Sequence, residues 1–144
     1  MRQSAKTTEQ TLKPYVIALV AKNRCPVFED PEFAGFITNH AEYVCGLFDA
    51  RVSQIEARRD HIRIVVNIPA SFDPRELVRN IKTQTSREVH FTPEMEEKAL
   101  KAYGVRTPLW HPSFYLFPSE ESSDEKIDKY VSSRRPCRKL RTNG

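Results

Sequence analysis

The stretch Arg59-Asp60-His61-Ile62-Arg63-Ile64-Val65-Val66-Asn67-Ile68 decides the fold. Ile62, Ile64, Val66 and Ile68 alternate with His61, Arg63, Val65 and Asn67, and side chains two apart on a strand share a face. The pattern predicts a strand with one aliphatic face turned to the core. Its other face presents an imidazole beside a guanidinium. Val52 to Ala57 reads as a second strand just upstream, and Arg58 to Asp60 as the turn that makes the two a hairpin.

The other elements are arranged around that hairpin. Tyr15-Val16-Ile17-Ala18-Leu19-Val20-Ala21 is a continuous apolar run of strand length, which predicts a central strand buried on both faces. Asp30-Pro31-Glu32 supplies an N-cap, a proline at the first helical position and an early acid. Behind it Phe33, Phe36, Ile37, His40, Val44 and Leu47 recur as one face of a helix. Asp73-Pro74-Arg75-Glu76 starts another helix as a capping box, with Leu77, Val78, Ile81 and Thr85 as its inner stripe. Thr92-Pro93-Glu94 opens a short helix that Gly104 closes. Ser113 to Phe117 is the last strand. Ser122-Ser123-Asp124-Glu125 caps a final helix carrying Ile127, Tyr130, Val131 and Arg134, which Pro136 stops. This order predicts an α+β fold: a ferredoxin-like (RRM-like) antiparallel sheet with helices packed on one face and the other face open. One domain is expected over residues 14–135, between a flexible N-terminus at 1–13 and a basic tail at 136–144.

Composition bounds the classes of function. The 144 residues are 39% hydrophobic and 29% charged, as in ordinary globular chains. The net charge of +4 and a pI near 9.0 permit a polyanionic partner without demanding one. No apolar run approaches a membrane span and no apolar signal segment opens the chain, so a cytoplasmic protein with no membrane partner is expected. Cys25, Cys45 and Cys137 are far apart and read as reduced thiols. Arg134, Arg135, Arg138, Lys139 and Arg141 follow Glu120, Glu121, Asp124 and Glu125, and read as a solvated basic end.

Four segments, in register, resemble a known family. Lys22-Asn23-Arg24-Cys25-Pro26-Val27-Phe28 looks like a basic segment ending in Arg-Pro-Val-Phe, and Asp60-His61-Ile62-Arg63 like a His-hydrophobic-His strand with its aspartate lead-in. Leu109-Trp110-His111-Pro112-Ser113-Phe114-Tyr115 looks like a Leu-Trp pair followed by an aromatic strand, and Lys126-Ile127-Asp128-Lys129-Tyr130-Val131 like a tyrosine helix. Together, over roughly Tyr15 to Arg135, they resemble the HUH single-tyrosine transposases of small bacterial insertion sequences, REP-associated tyrosine transposases included.

The resemblance implies a mechanism and a defect. Tyr130 matches the nucleophile that attacks a DNA phosphodiester and holds a 5′-phosphotyrosine, and His61 matches the first ligand of a magnesium or manganese ion. The family's second histidine is Arg63 here, and its glutamine one helical turn after the tyrosine is Arg134. A guanidinium has no free lone pair and stays protonated. The resemblance therefore implies a degenerate metal site that holds no cofactor tightly, and impaired catalysis. The family's glycine hinge before the tyrosine helix is also missing: no glycine lies between Gly104 and Gly144. The implied partners are single-stranded or hairpin DNA and a second copy of the chain. Lys22, Arg24, Arg63, Arg79, Lys82, Arg87 and Arg134 are the candidate phosphate contacts.

Two rival readings remain at this level. One is an active strand-transfer enzyme in which arginines, or a rearranged metal site, serve Tyr130. The other is an unrelated ferredoxin-like module that binds RNA or protein, which would expect exposed aromatics on the central strands where this chain has His61, Arg63, Val65 and Asn67. Taken residue by residue, Tyr130 is also a core-edge side chain beside Ile127, and His40 a core histidine. Trp110 reads as packing. His90 and His111 lack ligand spacing, although the resemblance brings His111 near the site.

Overall fold

A computed structural model describes residues 11–105 and 107–134. Residues 1–10, Cys137, Arg135, the stop at Pro136 and the tail lie outside them. Four strands and four α-helices are present among the described residues: β1 (Leu12–Val20), α1 (Pro31–Leu47), β2 (Arg51–Ala57), β3 (His61–Pro69), α2 (Pro74–Phe91), α3 (Pro93–Tyr103), β4 (Tyr115–Pro118) and α4 (Asp124–Ser132). The sheet order is β2-β3-β1-β4, with every pair antiparallel. This is the ferredoxin-like α+β topology expected from the sequence.

The alternation in β3 survives in the packing. Ile62, Ile64, Val66 and Ile68 are fully buried, together with Ile17 and Leu19 of β1, beneath α1 and α2. Asp30 caps α1 by accepting from the amides of Glu32 and Phe33, at 2.9 and 3.1 Å. In α1 the buried stripe is Phe33, Ile37, Ala41, Val44 and Cys45. It drifts from the expected His40 and Leu47: Leu47 is exposed, and His40 is half-buried against the Phe36 ring with Glu88 at 3.6 Å. A 3.6-residue period drifts by about 20° per heptad against the expected stripe, in the direction that favours Ala41 and Cys45. Burial pushes the Cys25 and Cys45 thiols up, to about 11 and about 12.

The expected stripe of α2 is met in full, since Leu77, Val78, Ile81 and Thr85 are all wholly buried. Its capping box is half made. Asp73 accepts from the Arg75 amide at 2.9 Å, but Glu76 turns to Arg79 instead. Gly104 closes α3 with φ of 82°, a left-handed conformation in which a Cβ would be strained, and its amide reaches the Leu100 carbonyl at 2.8 Å. β4 starts at Tyr115, two residues later than expected, because Trp110 bridges to Ala21 instead and the segment between loops out.

The second face of the sheet is not bare. Val16, Ala18 and Val20 of β1 and Tyr115 of β4 form a smaller apolar cluster with Ile127 and Val131 of α4, flanked by Val65 and Tyr130. A strand apolar on both faces needs cover on both, and the final helix supplies it. What stays uncovered is the β2 side of that face, where Gln54, Glu56 and Arg58 border a cleft of about 320 Å³.

Candidate active site

The β3 residues on the second face sit beneath that helix. Register places Arg63 beside Ala18 and His61 beside Val20, and both are buried, at 7% and 5% exposure. Such a guanidinium requires partners. Its Nε donates to His61 Nε2 at 3.0 Å, its Nη1 to Asp124 Oδ1 at 3.3 Å, and its Nη2 to Asp128. Because His61 Nε2 accepts, Nδ1 carries the ring proton and donates to Asp60 Oδ1 at 2.8 Å. Arg24 Nε closes the chain on Asp60 Oδ2 at 3.2 Å. Burial works against the Asp60 charge, but His61 and Arg24 outweigh it and hold the carboxyl below the usual range.

This arrangement bears directly on a metal ion. The His61 lone pair that would face a cation is taken by an arginine N–H. Among the described residues no three histidine, cysteine or carboxylate side chains are grouped to hold one. The donor set does not fit magnesium or manganese, which take several oxygens.

Tyr130 stands on the same helix, half-buried, with its ring 5.6 Å from that of Tyr115. Its hydroxyl lies 2.6 Å from Ser113 Oγ, and Ser113 Oγ lies 3.0 Å from His111 Nδ1. The Ser113 amide donates to the same Nδ1 at 3.1 Å. Arg134, just past the helix, donates to Ser113 Oγ at 3.1 Å and stacks its guanidinium 4.5 Å from the Tyr130 ring centroid. The loop carrying His111 and Ser113 is fixed from two sides. The His111 amide bonds the Val20 carbonyl at 2.8 Å. The Lys82 ammonium caps the carbonyls of His111, Pro112 and Ser113 at 2.9, 3.1 and 3.4 Å.

Lys22, Asn23, His111, Pro112, Ser133 and Arg134 line one cleft of about 400 Å³. Asn23 and Arg24 turn its rim through left-handed backbone, with φ of 60° and 54°. Burial, then the Arg134, Lys22 and Lys82 charges, lowers the His111 pKa from the ordinary histidine value, and burial lowers that of Lys82.

The expected phosphate contacts thus separate. Lys22 and Arg134 share the cleft. Arg24 and Lys82 sit beside it, engaged with Asp60 and with the loop carbonyls. Arg79 and Arg87 are exposed on α2, Arg79 against Glu76 at 2.9 Å. Arg63 lies under α4, committed to carboxylates. Ser113 reads in the sequence only as a strand residue and His111 reaches the site only through the resemblance, because Tyr130, Ser113 and His111 are brought together by a loop and a helix with no fixed spacing between them. Trp110 is core: it is 5% exposed and donates to Thr85 Oγ1 at 2.9 Å.

Fold and site together define a ferredoxin-like domain that docks a tyrosine helix on its second sheet face, beside a basic cleft. The sequence model of the family described as "Transposase IS200 like" matches residues 10–134, and the chain belongs to that family. Among solved structures it is similar to a protein described as a candidate transposase of Deinococcus radiodurans R1. That likeness has a TM-score of 0.73 and 17% identity, and spans 88% of this chain and 93% of the other. A REP-associated tyrosine transposase bound to a REP hairpin aligns with a TM-score of 0.48 and 11% identity, over 84% of this chain and 63% of that one. No curated protein matches the chain. Among the described residues no helix is long and apolar enough to cross a membrane.

Proposed function

We propose that the protein is a DNA-binding member of its transposase family that holds single-stranded or hairpin DNA across the Lys22–Arg134 cleft and has lost metal-dependent cleavage. The observation that carries this reading is the Arg63 N–H seated on His61 Nε2 at 3.0 Å, which puts a permanent cation where a metal ligand's lone pair would point. Cationic side chains beside Tyr130 suit a phosphate better than they suit a second cation. Lys22 and Arg134 are the principal contacts, with Arg79 and Arg87 extending the basic surface along α2. Arg63 would join them only if α4 lifted from the sheet. The working unit is a twofold dimer, the commonest closed assembly.

Two measurements test this. Arg134→Ala should weaken binding of a fluorescent hairpin oligonucleotide and reduce the salt slope by about one ion; unchanged affinity and slope would remove the cleft from the interface. Manganese calorimetry should show no stoichiometric site. Tight binding that His61→Ala abolishes would overturn the loss of the metal.

A further inference from the structure

We propose that Ser113 and His111 form a proton relay for Tyr130, through which the phenol can attack phosphorus without a metal ion. This rests on the reading of Tyr130 as a nucleophile toward phosphodiesters. The hydrogen-bond pattern sets the direction of the relay. Arg134 can only donate, so Ser113 Oγ accepts from it at 3.1 Å. His111 Nδ1 already accepts the Ser113 amide at 3.1 Å, so that nitrogen bears no proton. Ser113 Oγ therefore donates its hydrogen to Nδ1 across 3.0 Å, and its second lone pair receives the Tyr130 hydroxyl across 2.6 Å. The hydroxyl hydrogens of Tyr130 and Ser113 then each have an acceptor, and the chain runs from Tyr130 to Ser113 to His111 Nδ1.

The charges facing His111 are Arg134 at the end of α4, Lys22 in the turn after β1, and Lys82 on α2. Together with burial they keep the ring neutral near neutral pH, and so able to accept. A phosphate anion entering the cleft offsets those charges and makes the ring a stronger base. Arg134 Nε, buried and without a hydrogen-bond partner among the described residues, adds a donor for such an anion.

In the step itself a bond forms between Tyr130 Oη and phosphorus as the bond from phosphorus to the 3′-oxygen breaks. The electron pair leaves with the 3′-oxygen, which takes a proton from water. The phenol proton passes to Ser113 while the Ser113 proton passes to His111 Nδ1. Ser113 touches the nucleophile. His111 acts through it and is a positioning residue.

The test uses the full chain in EDTA with diethyl 4-nitrophenyl phosphate, reading phosphorylation of each tyrosine by peptide mass spectrometry. Tyr130 should label faster than the other tyrosines. Ser113→Ala and His111→Phe should slow it about 10²-fold, the lower end of what a positioned base supplies, and Ser113→Thr should restore it. The wild-type rate should fall on acidification with an inflection below the ordinary histidine value of about 6.5, because burial and the neighbouring cations lower the His111 pKa, and His111→Phe should lack that inflection. Equal labelling in Ser113→Ala and His111→Phe, with native circular dichroism, would overturn the relay, as would wild-type labelling that requires added manganese. Hairpin binding is measured in parallel. Relay-dependent labelling without hairpin binding supports the relay and removes the DNA reading; hairpin binding with relay-independent labelling does the reverse.

Discussion

Arg63 has an 8% exposed side chain, whereas its partners Asp124 and Asp128 are 90% and 65% exposed, so the ion pairs are lopsided. Removing the carboxylates leaves a buried guanidinium without its two charged hydrogen-bond partners, while removing the arginine leaves two carboxylates that water can solvate. Asp124→Asn with Asp128→Asn should therefore cost about 1–3 kcal/mol in urea unfolding, and Arg63→Met distinctly less. A larger loss for Arg63→Met would mean that its bond to His61 dominates. Asp60 gives a pH signature. Its folded pKa is depressed, so its stabilisation is complete above the ordinary carboxylate value of about 3.9 and is lost as pH falls through the folded value. The stability gap between wild type and Asp60→Asn should be open at pH 7 and narrow toward pH 2.

At the scale of elements, α4 is held by less apolar packing than α1 or α2. It rests on the small second cluster, whereas α1 and α2 share the large one with three strands' worth of aliphatic side chains. Ile127 is 4% exposed on Val16, Ala18 and Val20. Ile127→Ala should cost about 2–4 kcal/mol of local stability. Because α4 packs in a cluster separate from the main core, that loss should appear as faster amide exchange in α4 with the exchange of β1 and β3 little changed. Equal acceleration in α4 and the central strands would show that the helix and sheet unfold as one unit.

For the whole molecule, the sheet has two edges, β2 with a register shift between Val52 and Gln54 and the short β4. A shifted or very short edge resists open-ended strand addition, so the proposed dimer is a closed pair. Sedimentation at low micromolar concentration should give about twice the 16.7 kDa chain mass; a clean monomer would defeat the dimer.

The sequence by itself determined the elements, their order and the core face. β3 alternates with period two, Leu77, Val78, Ile81 and Thr85 keep helical period, and Asp30, Asp73, Ser123 and Gly104 act as caps through local backbone bonds. These signals are local, so a linear reading catches them. It also singled out His61, Arg63, Tyr130 and Arg134. Only the tertiary structure decided what those side chains do to one another. The apolar second face of β1 was legible, but not which element would cover it, and α4 turned the expected exposed His61–Arg63 pair into a buried, carboxylate-bound one. The Tyr130–Ser113–His111 chain was likewise hidden. It joins a helix to an irregular loop pinned by Lys82, and contacts between segments that lack a shared period leave no mark in the order of residues.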